Sequence, residues 1–488
     1  MRSSRSRPIA KSRLIAAASA LVALAGCGEF ETGPIRVSAI GSPPQLVNPN
    51  LVALDPSAAF LAEAIAQGLV RFDANGEIEP ALAQSWIVSD DGLRYTFRIR
   101  RIEWVGGGRV TAEQVAMRLR AAISRASRNR LKPVFGSIQN VVAMTDEVLE
   151  IGLSGPRPNL LQLLAQPELA IILNRRGTGP YQIDSATETG AARLSPRRRE
   201  EDESAPASPD LLLQGDGAGL AVARFAAERS DLVVGGTIGD LAFARAAGLP
   251  NNRLSFDPVR GLFGLVFTST EGAVGDPAVR RALSMAVDRD SLIDALDAPG
   301  LEPGVALIPA GIDELPRAAR PDWATGSLPM RREAAARAIA ALETPLRVRV
   351  AMPNGPGHRI LFAHLRRDWR RIGVEAVRVA PEAAAELRLV DEVAPAVLAS
   401  WYLRQFSCEV SRVCDPGADA AMETARTAQS LVARQLELRK ADMILTAMTP
   451  YIPIGSPVRW SLVSRRLTGF RPNMFARHPA NTLIAEEN

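Results

Sequence analysis

The sequence predicts a mixed α/β fold large enough for more than one domain, and three observations carry that expectation. The chain has 488 residues, 47% of them hydrophobic, so it can bury a large core and should divide into two or more domains. "LRYTFRIR" at 93–100 alternates Leu93, Tyr95, Phe97 and Ile99 with Arg94, Thr96, Arg98 and Arg100, the period of a strand with one buried face. "TAEQVAMRLRAAI" from 111 and "GDPAVRRALSMAVDRDSL" from 275 instead carry the period of amphipathic helices. Strand and helix patterns intermix along the chain, as in α/β or α+β architecture.

The first segment is a sorting signal by its proportions. Its apolar run, residues 14–26, is 13 residues long, whereas a bilayer-spanning helix needs about 20. Arg2, Arg5, Arg7, Lys11 and Arg13 precede it and small residues precede Cys27, as in a secretory leader, expected here over 1–26. "LAGC" (Leu24, Ala25, Gly26, Cys27) resembles the bacterial lipobox, in which the cysteine is lipidated and becomes the new N-terminus. An ordinary leader with a chance cysteine is the other reading. No later stretch of 18 or more uncharged apolar residues occurs, so the expected mature chain is exported, held in the cell envelope through a lipid on Cys27. The five leader cations also account for the net charge of +5, since without them 53 basic residues face 53 acidic ones. A chain so balanced lacks the basic footprint of a nucleic-acid binder.

After the leader, "GPIRVSAIG" reads as a first strand through Ile35, Val37 and Ala39, followed by the proline-rich turn "GSPPQLVNPN". "LDPSAAFLAEAIAQGLV" reads as a helix with Ser57 near its cap and Phe60, Leu61, Ala64, Ile65 and Leu69 on one stripe. "GGG" at 106–108 reads as a hairpin turn between Trp104 and Val110. Thr111 with Gln114 forms a capping box, and Asp276 caps a helix whose first position is Pro277. "LRVRVAM" at 346–352 is a strand, and "GHRILFAHLRRDWRRIG" a helix stopped by Gly373. The charged, proline-containing stretch at 195–210 reads as an exposed excursion. Cys408 and Cys414 form either a disulfide, as an oxidising compartment favours, or two free buried thiols.

Several chemistries are missing. None of the three lysines follows a glycine, which excludes a phosphate-binding P-loop, and there is neither a G-x-S-x-G elbow nor an H-E-x-x-H pair. His358 and His364 stand six apart and do not share a helical face, so no metal site is expected. The residues point to no cofactor and no catalytic set.

Six blocks, taken in order and spacing, resemble the bacterial extracellular solute-binding proteins of family 5, the peptide- and nickel-type components of ABC importers. They are "GLVRFDANGEIEPALAQSWIVSDDGLRYTFRIR" (68–100) running on to "RVTAEQVAMRLR" (109–120), "GTGPYQI" (177–183), "RGLFGLVFTSTEGAVGDPAVRRALSMAVDRDSLIDAL" (260–296), and the weaker "RDWRRIGVEA" and "PYIPIGSPVRW". The resemblance implies a two-lobed periplasmic-binding-protein-like fold with a hinge, an extra subdomain and a ligand cleft between the lobes. It implies a discontinuous first lobe (34–56, 174–256 and 456–488), an inserted subdomain (57–173) and a second lobe (257–455). It further implies a monomeric, non-enzymatic periplasmic protein that delivers a peptide or similar small polar solute to an ABC permease and its ATPase subunits. The alternatives are a lipoprotein of the same fold acting as a sensor or envelope factor, and a hydrolase on a borrowed fold.

For the site, the resemblance turns the loop holding Pro43, Pro44 and Gln45 toward the cleft. It also places Trp401 where the family keeps a Trp, with Arg404 three residues on, where peptide binders carry an Asp that pairs with the peptide's amino terminus. An arginine there repels an ammonium and suits a carboxylate or phosphate, or else it is a solvated surface charge. Trp401 and Tyr402 either stack on a ligand or pack in the core.

Overall fold

The computed structural model describes residues 33–186, 190–197 and 208–485. The leader with Cys27, and 198–207 of the expected excursion, lie outside them. Among the described residues no helix is long and apolar enough to cross a membrane.

The first strand, β1 (Ile35–Ile40), lies at the centre of a seven-stranded sheet. Its neighbours are β10 (Leu211–Asp216) and β11 (Leu232–Thr237), both parallel to it. Parallel strands need crossovers that cover the sheet, and all three read as near-continuous apolar runs with Ile35, Val37, Leu211, Leu213, Leu232 and Val233 buried. Antiparallel strands complete the sheet on both sides: β9 (Ala192–Pro196) and β8 (Tyr181–Ala186) beyond β10, β18 (Arg459–Val463) and β12 (Leu254–Asp257) beyond β11. The helix Pro56–Ile65 follows β1, capped by Asp55, whose carboxylate accepts from the Ala58 amide at 2.8 Å. Ser57, the second residue of the helix, donates to the Ser42 carbonyl at 2.6 Å.

Between the helix Pro56–Ile65 and β8 the chain builds two smaller sheets. The two-stranded one pairs β2 (Val70–Phe72) with β3 (Ile78–Pro80). The four-stranded one has the order β4 (Ala83–Val88), β5 (Arg94–Ile99), β7 (Val148–Leu153), β6 (Ile138–Ala143). Tyr95, Phe97 and Ile99 of β5 are buried in one apolar cluster with Val115 and Leu119 of the helix Ala112–Ile123. Thr111 and Gln114 make both bonds of the capping box. The three glycines 106–108 all have φ between +85° and +95°, which only glycine adopts freely, and they turn Trp104 back onto the Gly108 carbonyl.

The five-stranded sheet runs β15 (Glu375–Val379), β14 (Arg347–Ala351), β16 (Leu387–Val393), β13 (Gly261–Phe267), β17 (Tyr451–Gly455). Phe263, Leu265 and Phe267 pack with Val279, Ala282 and Leu283 of the helix Pro277–Ala286 and with Trp369 of the helix Pro356–Arg370. Arg280 and Arg289 are buried in this region, and each spends its guanidinium on main-chain carbonyls: Arg280 on Met448, Val274 and Gly275, Arg289 on Pro453 and Ser284. A buried guanidinium is tolerable only when its donors are used in this way.

Every strand of the seven-stranded sheet comes from residues 35–257 or 459–463, and every strand of the five-stranded sheet from 261–455. The chain therefore passes between the two sheets twice, at 258–260 and at 456–458. Two adjacent crossings form a hinge.

Candidate ligand cleft and hinge

At the C-terminal end of β1 the chain turns through Gly41–Gln45, the usual place for ligand contacts in an open parallel sheet. Asp55 anchors this turn by accepting from the Ser42 amide at 2.9 Å, and the backbone of Gly215 in β10 lies so close to the Ser42 carbonyl that a Cβ there would collide with it. Pro43 and Gln45 are left exposed and Pro44 half-buried.

The loop after β11 meets the loop after β14, so the C-terminal ends of parallel strands from the two sheets converge. The Gly357 amide donates to the Gly239 carbonyl at 3.1 Å, and the His358 ring lies against Gly239 with no room for a Cβ between them. Burial pushes His358 below the usual imidazole range, although Asp240 and Asp391 pull the other way. Burial also raises Asp240. Beside the second crossing, Arg459 of β18 donates to the carboxylate and the carbonyl of Asp391 in β16.

A second contact joins the inserted four-stranded region to the helix Ala399–Arg404, the segment before it and the helix Pro416–Thr427. Gln166 donates to the Pro395 carbonyl at 2.7 Å, the Val397 amide donates to Gln162 at 3.2 Å, and Arg426 donates to the Gly136 carbonyl at 2.7 Å and to Ser154 at 2.9 Å. Trp401 and Tyr402 are 3% and 0% exposed, edge-to-face at 4.8 Å, in the apolar cluster that also holds Phe97 and Leu149. In this arrangement both rings are core, and burial raises the Tyr402 hydroxyl, which has no hydrogen-bond partner among the described residues.

Arg404 is no solvated surface charge. It is half-buried, burial lowers its pKa, and the carbonyl of Met422, at 3.5 Å, accepts its one hydrogen bond among those resolved. Near it stands Arg157, from the loop between β7 and the helix Leu160–Leu164, a residue that sequence reasoning missed. Its signal was a charge flanked by prolines, "GPRPN". Arg157 is 8% exposed, its Nη1 has no hydrogen-bond partner among the described residues, and burial with Arg404 and Arg426 nearby pulls it down to about 10 despite Glu314 and Glu423. Glu314 is engaged elsewhere: it accepts from Arg434 at 2.6 Å and from the Ser400 amide at 3.0 Å. Glu423 is likewise paired with Arg426 at 2.9 Å.

Cys408 and Cys414 are joined as a disulfide next to this cluster, with Cα atoms 5.0 Å apart, and the Cys408 amide is held by Asp419 at 3.0 Å. Among the described residues no group of three or more His, Cys, Asp or Glu is placed to hold a metal. A cavity of about 200 Å³ opens between residues 46–50 and the helix Ala112–Ile123, with Glu168 and Arg175 in its wall. All of its lining lies between 46 and 175, so closure of the two main sheets on each other would not enclose a solute there.

Two α/β bodies joined by a pair of short crossings, with strand ends converging from both, define the class of two-lobed periplasmic binding proteins. The chain belongs to the bacterial extracellular solute-binding proteins, family 5, matching the family's middle region over residues 77–406. It is 23% identical over 447 residues to the "Probable ABC transporter periplasmic-binding protein SapA" of Escherichia coli K12, covering 78% of this chain and 79% of that one. The glutathione-binding protein GsiB of E. coli O1:K1 is 30% identical over 203 residues, which span 38% of each chain. Among solved structures, the murein tripeptide binding protein MppA of E. coli superposes with a TM-score of 0.82 at 19% identity, covering 93% of this chain and 98% of that one. OppA of Haemophilus influenzae in complex with RPPGFSPFR gives 0.80 at 18% identity, with coverages of 92% and 98%. Of these, one is named as an ABC transporter periplasmic-binding protein, one for glutathione and one for a murein tripeptide, one is seen with a bound peptide, and the family is one of solute-binding proteins.

Proposed function

We propose that this protein is the substrate-binding component of an ABC importer, taking a peptide or similar small polar solute in the periplasm and passing it to a permease without chemical change. The observation that carries the reading is the hinge: two crossings at 258–260 and 456–458 with the Gly239–Gly357 contact across them. A solute touching both bodies favours the closed arrangement, because only there does it meet both sets of contacts. Glutathione and a murein tripeptide, named for two of the relatives, are peptide-like solutes and accord with this class of cargo. The reading uses the lobes as 34–56 with 174–256 and 456–488, the subdomain 57–173 and the second lobe 257–455. It places Pro43, Pro44 and Gln45 at the rim of the cleft, Trp401 and Tyr402 behind it, and Arg404 within reach of ligand, with Cys27 as the lipid anchor and a monomer as the working unit.

The test is mass spectrometry of solutes released from gently purified protein, followed by titration calorimetry with each one found. Recovery of a peptide-like solute that rebinds supports the reading. Protein that carries no solute and binds none of a broad peptide library counts against it.

A further inference from the structure

The buried arginines of this protein fall into two kinds. Arg280, Arg289 and Arg434 each hand their donors to carbonyls or to a carboxylate. Arg157 does not: its Nη1 is buried and unpartnered, and no ion pair to it lies among the described residues. Its neighbours make matters worse, since the two carboxylates that act on Arg157 are committed, Glu314 to Arg434 and Glu423 to Arg426, whereas Arg404 beside it also feels Asp419 and Glu409, so Arg157 is the cation left without a carboxylate of its own. An unpaired charge removed from water is among the costliest features a fold can keep. The two residues also come from opposite sides of a boundary, Arg157 from the loop after β7 and Arg404 from the helix Ala399–Arg404, and that boundary is stitched by Gln166 to Pro395 and by Val397 to Gln162.

We propose that Arg157 and Arg404 together form a receptor for an anionic group of the solute, a carboxylate or a phosphate, which supplies the partner that Arg157 lacks. The proposal rests on the solute-binding reading and adds its polarity: the cargo is recognised by a negative charge. Guanidinium donors suit either anion through paired hydrogen bonds, and the anion, touching both arginines, adds a bridge across the boundary that Gln166 and Val397 already stitch.

The full mature chain is titrated calorimetrically, at fixed ionic strength, with inorganic phosphate, trialanine, trialanine amide, glutathione and glutathione diethyl ester. The expected result is that phosphate or at least one free acid binds, and that a binding acid exceeds its amide or ester by roughly 10- to 100-fold, the range for charge-assisted hydrogen bonds. The phosphate arm against the two acid arms tells which anion is preferred. Arg157→Met and Arg404→Met should each abolish the preference, and Arg157→Met without ligand should melt no lower than wild type, because the charge it removes has no partner to lose. Equal binding of acid and neutral forms, an unchanged preference in Arg157→Met, a clear drop in its melting temperature, or failure of phosphate and both acids to bind would each overturn the proposal. The solute-binding reading is judged separately by the mass spectrometry above: a co-purified neutral or cationic solute would leave that reading standing and remove the anion receptor.

Discussion

Arg459 reaches across the hinge to Asp391, its Nη1 donating to the carboxylate at 2.7 Å and its Nη2 to the main-chain carbonyl at 2.9 Å. One residue belongs to β18 and the other to β16, so the pair ties the seven-stranded sheet to the five-stranded sheet beside the 456–458 crossing. Both side chains are mostly buried, which makes the pair worth more than a surface ion pair. Asp391→Asn keeps the shape and removes the charge. It should weaken the closed arrangement by about 1–3 kcal/mol, read as a larger radius of gyration in small-angle scattering. Scattering and melting curves identical to wild type would refute a clamping role.

His358 against Gly239 gives the hinge a pH dependence with a definite sign. Burial depresses His358, so the folded protein takes its proton less readily than the unfolded chain does. The associated stability is present in full above the unfolded imidazole value of about 6.5 and is lost as pH falls below it. Asp240 and Asp391 oppose the shift and Arg378 reinforces it. His358→Gln should lessen the fall in melting temperature between roughly pH 7 and 5.5, a fall to which His364, lowered by burial in the same direction, also contributes and against which the raised Asp442 works. Gly239→Ala should do more damage at every pH, because its Cβ would enter the imidazole ring. A steep acid slope surviving in the Gln variant would show that other groups carry it.

The Cys408–Cys414 bridge closes a short loop between the helices Ala399–Arg404 and Pro416–Thr427. Short loops give little entropy, so reduction should cost only about 2 kcal/mol, and a few degrees of melting temperature at most. The larger expected effect is local: the loop precedes Asp415 and Asp419, which hold the first turn of Pro416–Thr427 and the Cys408 amide. Hydrogen exchange with and without reductant should show faster exchange confined to about 405–420. Uniform loosening of the whole chain would contradict this.

How much of this was legible beforehand follows from how local each cause is. The strand Arg94–Ile99, the Thr111–Gln114 box and the Asp276–Pro277 start depend on residues within one or two turns, and they stand where the patterns put them. The order β11–β1–β10 is a different matter: Ile35 pairs with Leu211 and Val37 with Leu232, across separations that no local rule reads. The helix after β1 shows the limit on a small scale, since it ends at Ile65, short of the Leu69 that its apolar stripe reaches. Trp401 and Tyr402 had two readings that only their neighbours could separate, and those neighbours come from widely separated parts of the chain, from Phe97 and Leu149 to Met422 and Tyr451. Arg157 was invisible as a site residue for the same reason: its prolines mark a turn, but its burial depends on the chain around 395–430.

Asp442 offers the sharpest test of buried charge in the second sheet's surroundings. It lies in the helix Leu431–Met448, wholly buried, its carboxylate accepting from the Ala319 amide at 2.5 Å. Burial raises it from 3.8 to about 6, only partly offset by that hydrogen bond, by Thr446 and by Arg439. A folded pKa above the unfolded one means that the native state binds the extra proton, so stability is greatest below about pH 4 for this group and declines as pH rises through 6. At neutral pH the ionised carboxylate should therefore cost the fold on the order of 1–3 kcal/mol. Asp442→Asn keeps an oxygen to accept from Ala319 while removing the charge. It should melt at or above wild type at pH 7.5 and lose that advantage near pH 4.5, where the wild-type side chain is already neutral. If the variant is instead weaker at pH 7.5 than at pH 4.5 relative to wild type, the ionised carboxylate is stabilising, and the balance between burial and its hydrogen bonds runs the other way.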